Sequence, residues 1–292
     1  MPKRRRNFHY DELEPRLMLT VTPNLSNSGL LTITGDAANN EVHLIGTGTE
    51  GSVAYYLEGV FQTTFNGVKS IKVDLGDGAD YLEIAAVRIP KNLTVNMGSG
   101  NDQFDMDTTP NYGAHPDGSV RIGGNVKAEL GGDAGDDVDW DSQSWGIQIV
   151  KNVTLTGVAF ADLKGTFDSV ITSNLSIQIS RKLTIELSGQ GNPSGVEVSM
   201  QDVNVFRTTT IRGSDQNDEI RLIDSRFENL NVDLKAGSDS ILMKEAGMSD
   251  KNIIVGSATF NGGADSDLLD LGAFNTFGKG PKILGFETVN NS

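Results

Sequence analysis

A short stretch, VDLGDGADYLEI at Val73 to Ile84, returns in variant form along most of the chain. A unit this small cannot bury an apolar face alone, so it must stack on copies of itself, and this limits the fold more than any local propensity does. Each copy reads as an alternating strand, a Gly-rich turn ending in Asp, and a second alternating strand. Copies follow at Val95 to Met106 (VNMGSGNDQFDM), Ala128 to Trp140, Thr210 to Leu222, Val232 to Met243 and Thr259 to Leu271, with weaker ones from Gly35 and Gly189. Aligning the turn-ending residue gives Asn40, Asp80, Asp102, Asp136, Ser194, Asp218, Asp239 and Asp267, with gaps of 40, 22, 34, 58, 24, 21 and 28 residues. The short gaps set a repeat of about 22 residues, and the long ones read as multiples of it or as one repeat plus an insertion such as Thr108 to Gly118.

Between the turns the pattern is period two. LLTIT at Leu30 to Thr34, SIKVDL at Ser70 to Leu75, NLTVNM at Asn92 to Met97 and KLTIEL at Lys182 to Leu187 alternate apolar with polar residues, as half-buried strands do. Inward positions are then Val73, Leu75, Leu82, Ile84, Val95, Met97, Phe104, Ile220, Leu222, Val232, Leu234, Ile241 and Leu269. Asn92, Asn152, Asn174 and Asn229 each precede a strand, which suggests a ladder of asparagines at one corner. A translational repeat argues against the main rival, a sandwich, whose hairpins need tight turns with antiparallel returns, and predicts an all-β fold, a single right-handed parallel β-helix over residues 22–292 behind a basic leader at residues 1–21. The closing segment, Lys282 to Val289, reads as a last strand without a cap, which leaves end-to-end self-association open.

The formal net charge is −15, although residues 1 to 20 carry five basic side chains against three acids. So acidic a body repels phosphate backbones and anionic lipid, which excludes nucleic acid as a partner. No apolar run approaches the ~20 residues of a membrane span. With no cysteine, neither disulfides nor thiol chemistry is open to the chain. His9, His43 and His115 have no recognisable partner, and no nucleophile triad or phosphate loop is present.

Two short motifs carry resemblances. Leu13-Glu14-Pro15-Arg16-Leu17-Met18-Leu19 resembles the LEPR-XLL signature at the start of many repeat-rich bacterial surface proteins, with Met18 at the first of the two terminal leucines. What it implies is export to an extracellular or cell-surface location. Gly76-Asp77-Gly78-Ala79-Asp80-Tyr81-Leu82 and Gly98-Ser99-Gly100-Asn101-Asp102-Gln103-Phe104 resemble the hemolysin-type (RTX) calcium-binding nonapeptide, G-G-x-G-x-D-x-U-x, and Gly262 to Leu269 matches it except at Asp265. The resemblance implies calcium shared between stacked turns, with Asp77, Asp80, Asp102, Asp218, Asp239 and Asp267 as candidate ligands. Calcium takes six to eight hard oxygens, and glycines let carbonyls converge on it. The other reading of the same residues is that Asp and Gly close the turn by local bonds. Each repeat here holds one motif rather than two, Lys235 stands in one turn, and Asn40 and Ser194 lack the carboxylate, so the array is degenerate.

Trp140 and Trp145, in WDSQSW, lie beside Asp136, Asp137, Asp139 and Asp141. They offer a ligand-stacking platform for polysaccharide with acids nearby, or else Trp140 is simply the inward residue after Val138. The resulting expectation is a non-catalytic secreted or cell-surface protein, structural or adhesive, whose partners are polysaccharide or cell-surface components. The alternative is a carbohydrate-active β-helix enzyme, a polysaccharide lyase or hydrolase.

Overall fold

The computed structural model describes residues 21–110, 112, 118–143, 145–165, 176–188, 195–244 and 251–291. The basic leader expected over residues 1–21 lies outside them except for Val21, as do Ser194, Asn174, His9 and His115. The described chain is all-β, with strands arranged in a 17-stranded and a 12-stranded sheet. Among the described residues no helix is long and apolar enough to cross a membrane.

The chain visits the two sheets in a fixed rotation. From Ser70–Asp74 in the larger sheet it bends through the Gly-Asp turn into Tyr81–Ala85 of the smaller sheet, returns to the larger at Arg88–Ile89, and bends again into Leu93–Asn96. Each strand pairs in parallel with its counterpart on the next pass: Val73 lies beside Val95, Val95 beside Ala128, Ala128 beside Leu155, and Leu155 beside Ile185. Because side chains alternate faces, one register keeps a whole apolar column inside. All thirteen residues assigned inward from the sequence are at most 1% exposed. Each such aliphatic side chain contributes roughly 1.5–3 kcal/mol on burial.

All three bends of a pass are closed by side-chain acceptors that bond backbone N–H groups of a neighbouring pass, the following one at the asparagine bend and the preceding one at the other two. Asn92 Oδ1 accepts from Asn125 N (2.9 Å), Asn125 Oδ1 from Asn152 N (3.2 Å) and Asn229 Oδ1 from Ser257 N (3.0 Å), which is the expected asparagine ladder. A second bend uses Ser225, Asn252 and Asn275: Val203 N donates to Ser225 Oγ (3.1 Å), Ser225 N to Asn252 Oδ1 (3.0 Å) and Asn252 N to Asn275 Oδ1 (2.6 Å). The third bend is the Gly-Asp turn.

Two expectations need correction. A repeat of about 22 residues describes only some steps, because ladder residues on neighbouring passes are separated by 40, 22, 34, 21, 28 and 20 residues. The 40-residue step is a single pass lengthened by a hairpin. Ser52–Leu57 and Val60–Asn66 pair antiparallel with each other, and the first of them pairs antiparallel with Glu41–Gly46, at the edge of the smaller sheet. Glu58 (φ 50°) and Gly59 (φ 70°) make its two-residue turn, a backbone geometry that suits paired strands but is poorly announced by a glutamate. Thr22–Leu25 folds antiparallel onto Leu30–Thr34 in the larger sheet, so parallel pairing is not universal.

Candidate metal site in the aspartate turns

The Gly-Asp turns stack so tightly that glycine is obligatory at some positions. Gly98 has φ 110°, and a Cβ there would lie 1.4 Å from the carbonyl oxygen of Gly76 on the preceding pass. The turns also bond backbone to backbone: Ser99 N donates to Gly76 O (3.1 Å) and Gly78 N to Ser99 O (2.8 Å).

Parallel register then places the turn-ending residues one above another. Asn40 N donates to Asp80 Oδ1 (2.7 Å), Asp80 N to Asp102 Oδ1 (2.8 Å) and Asp102 N to Asp136 Oδ1 (3.1 Å). After Asp136 the column continues through Ala159 and Val196, both buried, where the carboxylate is lost. It is Val196, two residues beyond Ser194, that pairs with Asp218. The column resumes with Asp218 N to Asp239 Oδ1 (2.7 Å), Asp239 N to Asp267 Oδ1 (2.9 Å) and Asp267 N to Glu287 Oε2 (2.8 Å). One oxygen of Asp80, Asp102, Asp136, Asp239 and Asp267 thus bonds backbone between passes, whereas the carboxylate of Asp218 bonds Ser214 within its own turn.

The second oxygen separates the sites. Asp136 Oδ2 accepts from Gly132 N and Asp133 N, both at 2.7 Å, and Asp218 Oδ2 accepts from Ser214 N (2.8 Å) while its Oδ1 takes the Ser214 hydroxyl (2.7 Å). Oδ2 of Asp80, Asp102, Asp239 and Asp267 is buried with no hydrogen-bond partner. An ionised oxygen in that position is expensive, because water has been stripped from it and nothing replaces the water. Desolvation accordingly pushes the Asp80 and Asp102 carboxyls up from 3.8 to about 6, with the charges of Asp36 and Asp77 adding at Asp80 and those of Asp80 and Asp133 at Asp102. Asp239 is pushed to about 7 by the same cause, with Asp218, Asp267 and Asp265 adding.

Asn40 shows what a neutral residue does in this position. Its Nδ2 donates to Ala38 O, two residues back in its own turn, while its Oδ1 is buried without a partner but carries no formal charge. At Asp80 and Asp102 the unbonded Oδ2 is open to a proton or to a cation.

The donors fit calcium in kind. They are hard oxygens, carboxylate and turn carbonyl, and the nearby charges that act on Asp80 and Asp102 are all negative. Asp77 is exposed at the turn tip, paired by its backbone with Ser99, and Asp133, which reaches across to Gly100 N (2.9 Å), joins this group without having stood out in the sequence. Asp218 has both oxygens engaged and lies under the influence of Lys235. Among the described residues no three His, Cys, Asp or Glu side chains converge on one point, so turn carbonyls and water would have to supply most of an ion's coordination.

Trp140 is not available as a stacking surface. Trp140 is 0% exposed and packs edge-on against Phe104 at 6.0 Å, inside the core where the Val138 alternation puts it, whereas Trp145 is 39% exposed. His43, isolated in sequence, is wedged between carboxylates: Nδ1 lies 2.6 Å from Glu83 and Nε2 2.8 Å from Glu41. An ionised carboxylate only accepts, so between two ionised acids both ring nitrogens donate and the imidazolium is the form this arrangement favours. Burial pulls its pKa down, but the bonds and charges of Glu83 and Glu41 outweigh this and hold it above 6.5. Register, not sequence proximity, brings His43 beside Glu83.

Comparison with family models, with curated proteins and with solved structures finds no match to this chain.

Proposed function

We propose that the chain winds as a single right-handed parallel β-helix and serves as a rigid, non-catalytic structural or adhesive element outside the cell or on its surface, with calcium taken up in the Asp80 and Asp102 turns. Winding is supported by the fixed rotation between sheets and by pairing with the next pass at every step, and the right hand by the general handedness of parallel crossovers. A stack of passes held by backbone ladders and an apolar interior is stiff along its axis, which suits display or spacing.

The observation that carries the calcium reading is the pair of buried, unbonded Oδ2 atoms of Asp80 and Asp102 on adjacent passes. A divalent ion between them satisfies both oxygens and offsets two desolvated charges. It is an adjunct to folding, since the passes through Ala159 and Val196 close without any carboxylate. The second candidate is Asp239 with Asp267, where the same oxygens are unbonded.

Calorimetric titration with calcium chloride tests this directly. Wild type takes up calcium with an affinity typical of extracellular modules, about 10⁻⁴–10⁻³ M, and Asp80→Asn/Asp102→Asn loses most of that uptake while remaining folded. Equal uptake by both proteins, or none by wild type, refutes it. Location is tested separately by fractionating native cells, where recovery from the cytosol alone refutes the extracellular assignment.

A further inference from the structure

The outward face of the smaller sheet changes character along its length. Where Gln103–Asp107 meets Asp137–Ser142, acids lie directly opposite each other, Asp105 beside Asp139 and Asp107 beside Asp141. The next strands carry mixed groups: Phe160 beside Glu197, Asp162 beside Ser199, and Lys164 beside Gln201. These side chains point outward, since the alternate residues Ala161, Leu163, Val198 and Met200 are buried.

Ser199 is the short side chain on this face. On the following strand it is paired with Arg221, which is held by Glu219 and by Glu197 at 3.6 Å. A hollow of about 330 Å³ opens above Ser199, walled by Phe160 and Glu197 on one side and by Lys164, Gln201 and Ile223 on the other. That volume is at the lower end for small-ligand sites. Phe160 is 37% exposed and presents an aromatic surface at the edge of an otherwise polar hollow.

We propose that this hollow seats one ring of an uncharged polysaccharide. A sugar ring has an apolar C–H face and a rim of hydroxyls that both donate and accept. The hollow supplies the complement: an aromatic side chain for the face, carboxylate acceptors at Asp162 and Glu197, donors at Lys164, and an amide at Gln201 that does both. An anionic polymer is disfavoured by the acids alongside, Asp137 and Asp139, whose carboxyls are pushed up to about 6 by burial and by the charges of Asp105 and Asp162. Stacked strands repeat the polar rows at about 4.8 Å, so neighbouring rings find further hydroxyl partners along the same face. The site is distinct from the aspartate turns and does not depend on calcium there.

The experiment uses the whole chain with maltohexaose, cellohexaose and mannohexaose as neutral probes and oligogalacturonate as the anionic one, by calorimetry or by NMR shift mapping. At least one neutral probe binds, and Phe160→Ala and Ser199→Trp, the second filling the hollow, each weaken it by about tenfold or more. Phe206→Ala, which removes another exposed phenylalanine on the larger sheet, leaves binding unchanged. Matching far-ultraviolet circular dichroism and thermal midpoints show that the variants fold. Binding of oligogalacturonate alone, binding of no probe at millimolar concentration, or binding indifferent to both hollow variants overturns the proposal.

Discussion

Replacing Asp102 by asparagine separates the hydrogen-bonding role of the aspartate ladder from its charge. Asp102 Oδ1 accepts from Asp80 N at 2.8 Å, and the amide oxygen of asparagine preserves that bond. The atom exchanged is Oδ2, which is buried and unbonded. In its place comes an amide nitrogen, which in the Asn40 turn donates to a carbonyl two residues back. Burial raises the Asp102 carboxyl from 3.8 to about 6, and each pH unit of such a shift is worth about 1.4 kcal/mol, so ionised Asp102 costs the folded state at most about 3 kcal/mol. The folded value lies above the unfolded one. Its contribution is therefore fully present below about pH 4 and is lost as the pH rises through about 6. In EDTA at about pH 8, Asp102→Asn should be the more stable protein, by about 1–3 kcal/mol, and the advantage should shrink on moving to about pH 5.5. Calcium works in the opposite sense. An ion bound only by the folded wild type adds RT ln(1 + [L]/Kd), about 2.7 kcal/mol at a hundredfold excess over Kd and less at a millimolar site, so millimolar calcium narrows or reverses the gap. Urea unfolding followed by tryptophan fluorescence, with Trp140 as the buried reporter, reads all of these conditions. A variant less stable than wild type in EDTA at pH 8 would refute the desolvation argument. A wild type that responds to neither pH nor calcium would remove the charge role of this turn altogether.

Other substitutions probe the packing that supports the site. Gly98→Ala sets a Cβ 1.4 Å from Gly76 O at φ 110° and should lower stability by at least about 3 kcal/mol, whereas Gly67→Ala, with φ 79° but open space around it, should lower it by only about 1–2 kcal/mol; equal losses in urea unfolding would show that the stacked turns yield easily. Trp140→Ala empties a fully buried site and should lower stability by about 3–5 kcal/mol, against under about 1 kcal/mol for Trp145→Ala, and the reverse order would place Trp140 at the surface. His43→Ala removes the ring that bridges Glu41 and the fully buried Glu83 and should lower stability by at least about 1–3 kcal/mol; nitrogen-15 NMR of the wild type should show both ring nitrogens protonated at neutral pH, and a neutral ring there would contradict the imidazolium.

Strand alternation, the inward columns, the asparagine corner and the aspartate turn are all written in the sequence, because each rests on a period of two or on turn chemistry that acts within a few residues. The choice between Trp140 as core and Trp140 as platform also lay there, in its spacing from Val138, but only the strand register settles it. Register decides the rest. It makes the 40 residues between Asn40 and Asp80 one pass with a hairpin, sets Val196 rather than Ser194 in the column, and ends that column on Glu287. It also brings His43 against Glu83 and lays Ser199 between Asp162 and Arg221, opening a hollow that no local pattern marks. The two oxygens of each aspartate show the division most plainly. The sequence places the carboxylates at the turn ends, and tertiary stacking determines that one oxygen of Asp80 and Asp102 is bonded by the preceding pass, because the N–H groups that bond it belong to residues 40 and 22 positions away, while the other oxygen is buried without a partner.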